Sequence, residues 1–212
     1  LGWSLTGSDQ QDIPQNHQSL NRFVRIHQGH HAGHLAVDVD LVIFSPAIPA
    51  DNPERMAATQ LGVPQQSYDE FVAELTRIHR AFCVAGTHGK TTTAAMLGTI
   101  LRESNADAGV LVGGELLQYN RSGWASPAIN RDPNHALDSE TAAAGIDSPA
   151  SILAVESCEY RRHFLSFTPH CAVVLNVESD HFDCFSDLAD AHNAFREFAA
   201  RVDLAGLLLL NG

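Results

Sequence analysis

The sequence has 212 residues, of which 44% are hydrophobic and 18% are charged, as in ordinary globular proteins. That length is enough for one large domain or two modest ones. Thirteen basic residues against 25 acidic residues give a formal net charge of −12, which disfavours nucleic acids and anionic membranes as general partners. An anionic small ligand would therefore need a local cradle of N–H groups and lysine rather than a basic surface.

Three features of the sequence indicate the cellular compartment of the protein and whether the sequence is part of a longer chain. Four widely spaced cysteines form no C-x-x-C pair, which favours buried thiols in a reducing compartment. The sequence has no run of about 18 apolar residues and no signal-like N-terminus, so we predict a cytoplasmic protein without membrane insertion. Because Leu1 falls inside a pattern and the chain stops just after the apolar run 206–210 (GLLLL), we expect a piece of a longer protein that is inactive by itself.

The first 80 residues alternate predicted strands and helices. Residues 1–9 (LGWSLTGSD) are typical of the second strand of a dinucleotide-binding fold, and the acid that ends such a strand, here Asp9, commonly meets a ribose hydroxyl. Residues 40–48 (DLVIFSPAI) predict a strand buried on both faces. A helix follows, with Asn52 as its cap and Gly62 after its last turn.

A second series of elements starts after a short link at 63–66. Ser67 and Glu70 form a capping box, which predicts the start of a helix. Strands are then predicted at 81–86, 108–114, 151–157 and 171–177, and helices at 92–104 and about 187–202, with an irregular surface insertion at 118–150. This alternation predicts an α/β fold with parallel sheets: a Rossmann-like domain at 1–80, then a phosphate-loop domain at 81–212.

The segment 81–97 (AFCVAGTHGKTTTAAML) has the character of a phosphate-binding loop, although only two residues separate its glycines. Gly86 and Gly89 would let the backbone approach a phosphate at the N-terminus of a helix. Lys90 would add a positive charge for the terminal phosphates, and the Thr91 hydroxyl could ligate Mg²⁺. The alternative is a plain strand-to-helix connection of small residues with a solvated lysine.

Polar side chains follow two of the predicted strands. Glu156 ends one strand, and a polar group that includes Asn176 and His181 follows the next. Because ligands of parallel α/β sheets bind at the carboxyl ends of strands, Thr91, Glu156 and His181 are candidates to converge on one Mg²⁺. The alternative is that polar residues gather there only because turns are solvated.

Several motifs along nearly the whole chain resemble the Mur ligases, the family that builds the peptide stem of bacterial peptidoglycan. The short loop GTHGKTTT resembles the phosphate loop of that family, and its histidine is similar to the branch that acts on UDP-N-acetylmuramate. The other segments that carry the resemblance are TGSD (6–9), GHHAGHL (29–35), IFSPAIPADNPE (43–54), VESCEY (155–160) and NVESDHFD (176–183).

The resemblance implies roles for individual residues. It implies catalytic roles for Lys90 and His88, and Mg²⁺ ligation by Thr91, Glu156 and His181. It implies an ATP site and a UDP-sugar site. The ATP site would comprise Gly86, Thr87, His88, Gly89, Lys90, Thr91, Thr92 and Asn176, and the UDP-sugar site Ser8, Asp9, Ser45, Ala47 and Ile48.

The resemblance also implies a reaction: ATP-dependent joining of L-alanine to the lactyl carboxylate of UDP-N-acetylmuramate through an acyl phosphate, in cell-wall synthesis. A ligase that recycles a murein tripeptide onto the same sugar is the alternative, and a nucleotide-binding switch without ligation ranks last. The helix after 180–183 (DHFD) has Arg196 and Arg201 but no lysine that could be carbamylated, which fits this branch of the family better than the later ligases.

Four histidines between residues 27 and 34 form the remaining cluster with potential chemistry. His30 and His34 have a spacing that suits a metal, and Asp38 is close. Gly29 and Gly33, however, argue against a stable helix there. We interpret the cluster as ordinary turn and surface histidines.

Overall fold

The computed structural model describes residues 4–11, 24–116, 118–119, 121–126, 151–178 and 184–211. The chain forms two compact units, one within residues 2–71 and one within residues 72–212. The predicted domain division after residue 80 lies nine residues beyond this boundary and stays a prediction. In the described part of the chain, none of the helices has the length and apolar character needed to cross a membrane.

The described part of the N-terminal unit contains two short parallel strand pairs and a nine-residue helix. Strand β1 (Leu5–Asp9) pairs with β2 (Val24–Gln28), and β3 (Val42–Phe44) pairs with β4 (Gln65–Ser67). Helix α1 (Pro53–Leu61) lies between β3 and β4 in the chain. Both pairs are parallel, as the predicted fold class requires.

Two predictions for this unit are wrong in detail. The strand predicted over 40–48 ends at Phe44, because the N–H of Ile48 donates to the carbonyl oxygen of Ser45 at 2.8 Å and closes a turn. Residues 65–67, predicted as part of a link and a cap, form β4 instead. Because their side chains are polar, the sequence pattern does not indicate a strand here; the strand is held by its backbone pairing with β3.

The ends of the two helices in the first 80 residues follow their capping residues. Asn52 Oδ1 accepts from the N–H groups of Glu54 and Arg55 at 2.9 and 3.3 Å, which starts α1. Gly62 ends the helix with a left-handed φ of 70°. Helix α2 (Tyr68–Ile78) begins at the predicted capping box, in which Ser67 and Glu70 exchange backbone-to-side-chain bonds of 2.7 and 3.2 Å.

The C-terminal unit is built on a six-stranded sheet. Its strands are β5 (Arg80–Ala85), β6 (Ala108–Leu116), β7 (Arg121–Trp124), β8 (Ile152–Glu156), β9 (Cys171–Val174) and β10 (Leu207–Leu210). The spatial order is β10-β9-β5-β8-β6-β7, and every neighbouring pair is parallel except β6 with β7. Strand β5 therefore lies between β9 and β8, and the three end side by side.

Helices cover both faces of this sheet. Along β5, Cys83 and Ala85 face a core shared with α2 and with α4 (Leu188–Ala199), whereas Val84 faces a core shared with α3 (Lys90–Glu103). Successive side chains of a strand point to opposite faces of the sheet, so a strand buried on both faces contributes alternately to two cores. The fold class predicted from the sequence is confirmed.

Two further predictions need correction. The insertion expected at 118–150 is not wholly irregular, since β7 lies within it and pairs with β6; residues 127–150 lie outside the described part of the chain. The cysteines are free thiols, but only Cys83 is buried, and Cys158 is exposed. Burial raises the pKa of Cys83 to about 12, so this thiol stays protonated.

Candidate active site at the strand ends of the C-terminal unit

The loop between β5 and α3 needs both of its glycines. Gly86 has a φ of 142°, and a Cβ there would lie 3.0 Å from Leu175 Cβ and 3.1 Å from the backbone nitrogen of Asn176. Gly89 has a left-handed φ of 83° and is the N-cap residue of α3. Lacking a side chain to cap the helix, it leaves the N–H groups of the first turn open toward an approaching ligand.

Lys90 folds back over this loop. Its Nζ donates to the carbonyl oxygens of Gly86 and Thr87 at 2.7 and 3.1 Å. It also donates to Glu159 Oε1 at 3.0 Å and lies 2.9 Å from Glu159 Oε2. The Lys90 and Glu159 side chains are only 11% and 2% exposed, so this ion pair is largely shielded from water.

Next to the lysine, Thr91 and Glu156 meet across α3 and β8. Thr91 Oγ1 donates to Glu156 Oε1 at 2.9 Å, and Glu156 Oε2 accepts from the N–H of Gly113 at 2.6 Å. A Cβ at Gly113 would lie 3.0 Å from Glu156 Oε2, so the glycine makes room for the carboxylate. A hydroxyl and a carboxylate side by side are the oxygen ligands that Mg²⁺ prefers, and they fit that ion.

Asn176, which follows β9, holds the loop by hydrogen bonds. Its Oδ1 accepts from the N–H of His88 at 2.7 Å, and its backbone oxygen accepts from the N–H of Thr87 at 2.9 Å. Because Asn176 already binds these two N–H groups, the first turn of α3 is the part of the cradle left for an anion. The imidazole of His88 is 60% exposed, with Nε2 3.9 Å from Glu178 Oε2.

The structure therefore brings together most of the residues predicted for the nucleotide and the metal. Thr92 is exposed in the first turn of α3, beside Thr91. His181, predicted as the third metal ligand, lies outside the described residues. Among the described residues, no group of three histidine, cysteine or acidic side chains that could hold a metal is found. Thr91 and Glu156 place two oxygen atoms 2.9 Å apart.

The residues predicted for the UDP-sugar lie in the N-terminal unit. Ala47 and Ile48 line a surface pocket together with His30. Ser45 shapes the turn before them, since its Oγ accepts from the N–H of Ala47 at 3.3 Å. Asp9 ends β1, where its carboxylate accepts from the N–H of Gln11 at 2.8 Å. Ser8, Asp9 and Ser45 are not among the residues that line this pocket.

The histidine cluster and Ser8 are organised around Glu54. Ser8 Oγ donates to Glu54 Oε2 at 2.7 Å and lies 3.0 Å from His30 Nδ1. Glu54 Oε1 lies 3.1 Å from His34 Nδ1 and accepts from the N–H of His31 at 3.1 Å. Burial by itself would raise the pKa of Glu54, but hydrogen bonds from Ser8, His31 and His34 together with the charge of His30 lower it overall.

Two further acids, Glu159 and Glu54, belong to the polar networks of the two units and are not among the predicted site residues. Glu159 follows the end of β8 by three residues, so its position carries the same local signal as that of Glu156. Glu54 lies in the first turn of α1, and its contacts with Ser8 and the histidines arise from tertiary structure, for which the sequence carries no local signal.

Two protein-family models match this chain. The domain described as "Mur ligase middle domain" matches residues 84–212, and that described as "Mur ligase family, catalytic domain" matches residues 1–80. The UDP-N-acetylmuramate–L-alanine ligase of Alkaliphilus metalliredigens is 31% identical over 209 residues, which are 98% of this chain and 40% of that protein. The chain thus spans about two fifths of the length of the curated relatives it matches.

Solved structures show the same architecture. A murein peptide ligase from Psychrobacter arcticus superposes with a TM-score of 0.75 at 25% identity, covering 99% of this chain and 44% of that one. A UDP-N-acetylmuramate–alanine ligase from Thermotoga maritima superposes with a TM-score of 0.72 at 22% identity, covering 97% of this chain and 42% of that one. The second likeness supports the fold alone.

Proposed function

Because this chain belongs to the Mur ligase family, we propose that it is the substrate- and ATP-binding part of a ligase that joins L-alanine to UDP-N-acetylmuramate. The amide would form at the lactyl carboxylate of the sugar, through an acyl phosphate, in peptidoglycan precursor synthesis in the cytoplasm. The observation that carries the proposal is the placement of Lys90 and the Thr91–Glu156 pair at the N-terminus of α3.

In this proposal, Lys90 and the N–H groups of the first turn of α3 bind the phosphates of ATP. Thr91 and Glu156 hold Mg²⁺, with His181 as the expected third ligand, and the ion would supply positive charge beside the transferred phosphoryl group. Asn176 orients the loop through its bonds to His88. The Lys90 ammonium stabilises the charge that develops during transfer, so positioning and electrostatics account for the catalysis.

The N-terminal unit would hold the UDP-sugar. Its candidate contacts are Ser8 and Asp9 at the end of β1 and Ser45, Ala47 and Ile48 in the turn after β3. We propose that residues 1–80 serve this substrate and residues 81–212 serve ATP. The binding energy of the nucleotide part of the sugar would then fix its carboxylate for attack.

The recycling of a murein tripeptide onto UDP-N-acetylmuramate is the second candidate. The likeness to the P. arcticus murein peptide ligase, with a TM-score of 0.75 at 25% identity, is the observation that supports it. The two candidates share the ATP and sugar sites and differ only in the incoming amine.

The deciding experiment is phosphate release by the full-length protein with MgATP and UDP-N-acetylmuramate, with L-alanine or the murein tripeptide added in parallel. Release with L-alanine supports the first candidate, and release only with the tripeptide supports the second. Lys90→Ala is the control variant and should abolish release, since it removes the phosphate-binding charge. Release that does not depend on the sugar would reject both candidates.

A further inference from the structure

Glu159 is a buried acid whose partner is the phosphate-binding lysine. It lies three residues after Glu156, the last residue of β8, and it is 1% exposed. Both carboxylate oxygens are within 3.0 Å of Lys90 Nζ. An acid with so little exposure is retained in proteins only with a compensating partner, and Lys90 supplies a positive charge.

The ammonium group of Lys90 has three N–H donors. In this structure they bond to the carbonyl oxygens of Gly86 and Thr87 and to the carboxylate of Glu159. A phosphate that binds Lys90 must therefore displace or share one of these acceptors. Glu159 is the charged one among them, so it is the acceptor that resembles a phosphate oxygen in chemistry.

The two anions also repel each other. Glu159 is shielded from solvent, so its negative charge acts on a phosphate at the loop with little screening by water or salt. Glu178, beside the same loop, has a side chain that is 59% exposed, and its charge is screened. The effect of a glutamate on phosphate binding here depends on its burial, and the two residues form a natural comparison.

We propose that Glu159 is a positioning residue for Lys90 whose carboxylate competes with nucleotide phosphate for the ammonium group. The ion pair holds Lys90 over the loop, and the competition weakens the binding of the product ADP so that ADP leaves readily. This inference rests on the proposed ATP site, and it assigns a role to an acid that lies outside the predicted metal and nucleotide ligands.

The test is the affinity of the full-length protein for MgADP, measured by isothermal titration calorimetry. Glu159→Gln keeps the shape and an acceptor oxygen but removes the charge, so we expect MgADP to bind roughly ten-fold more tightly. Glu178→Gln removes the same charge from the exposed side of the loop and should change the affinity by less than about two-fold. Raising the salt concentration should erase the Glu178→Gln effect and leave the Glu159→Gln effect.

A second readout separates competition from simple structural support. Removing the charge leaves the buried ammonium without its counter-ion, so Glu159→Gln should lower the melting temperature in the absence of nucleotide. Saturating MgADP should then raise the melting temperature of the variant by more than it raises that of the wild type. A structural role alone predicts a lower melting temperature with an equal or smaller rise.

Each result decides the matter. Unchanged or weaker MgADP binding by Glu159→Gln, with normal binding by the wild type, would overturn the competition while leaving the proposed function intact. No MgADP binding by the wild type would instead remove the proposed ATP site, and the inference with it. Tighter binding by Glu159→Gln but not by Glu178→Gln supports the role assigned to Glu159.

Discussion

Gly86 and Gly89 stand in the same loop, but they are constrained in different ways. Gly86 has a φ of 142°, and an added Cβ would lie 3.0 Å from Leu175 Cβ and 3.1 Å from the backbone nitrogen of Asn176. Gly89 has a φ of 83°, and its added Cβ would meet only the end of the Leu175 side chain at 3.3 Å. We expect Gly86→Ala to destabilise the C-terminal unit by about 2–3 kcal/mol and Gly89→Ala by about 1 kcal/mol.

Urea unfolding followed by circular dichroism measures both variants against the wild type. Equal losses would mean that the strained φ alone matters and that the contact with Asn176 relaxes at little cost. Weaker nucleotide binding should accompany Gly86→Ala, since the loop must shift away from Asn176 to admit a side chain.

The chemistry of individual residues could be predicted where a residue type and a local pattern coincide. Lys90, Thr91 and Glu156 were identified because a lysine at a helix start and an acid at a strand end have recognisable surroundings in the sequence. The bonding partners of Glu159 and Glu54 could not be predicted in this way. Glu159 bonds to Lys90, 69 residues away in the chain, and Glu54 bonds to Ser8, 46 residues away. Only the folded structure brings those pairs together.

At the scale of elements, the capping box of α2 offers a direct measure of what a helix start contributes. Ser67 Oγ accepts from the N–H of Glu70 at 3.2 Å, and Glu70 Oε2 accepts from the N–H of Ser67 at 2.7 Å. Ser67→Ala removes the first bond and keeps the second, so we expect a loss of about 1 kcal/mol in unfolding free energy. Ser67→Thr keeps a hydroxyl and serves as the control.

Urea unfolding should place the threonine variant close to the wild type and the alanine variant below it. If both variants lost the same stability, the pairing of Ser67 with Phe44 in the strand, rather than the cap, would explain the effect. Ser67 is both the last residue of β4 and the cap of α2, because the strand ends where the helix begins.

The helices were predicted better than the short strands, and the reason lies in where each signal resides. Helix α1 begins and ends at residues whose side chain or φ fixes the boundary, namely Asn52 and Gly62. Strand β4 is wholly polar and β7 has Trp124 as its one large apolar residue, so both form through pairing with β3 and β6. Pairing partners are distant in sequence, so a local pattern could not reveal these strands.

At the scale of the whole chain, the two compact units carry different chemistry. The C-terminal unit presents Lys90, Thr91 and Glu156 at the ends of parallel strands, an arrangement suited to phosphates and Mg²⁺. The N-terminal unit presents histidines gathered around Glu54. Because each unit has its own polar network, a change in one network should affect that unit first.

The last prediction tests this separation through pH. The pKa of Glu54 is lowered on balance, so its ionised form is favoured in the folded unit. Its contribution to stability is therefore present above the unfolded pKa of about 4.5 and is lost as the pH falls through the lower, folded pKa. Glu54→Gln should cost about 1–2 kcal/mol of local stability at pH 7 and progressively less as the pH falls below 4.5.

Amide hydrogen exchange, corrected for the intrinsic rate at each pH, reports this local stability peptide by peptide. Protection should fall in peptides that cover residues 24–34 and 53–61 and stay unchanged in those that cover β5 and α3. Glu103→Gln, at the end of α3, makes the same change of charge in the other unit and should leave the peptides of the N-terminal unit unaltered. Loss of protection in β5 caused by Glu54→Gln would show that the two units unfold together, because the effect of a single carboxylate would then have crossed the boundary between them.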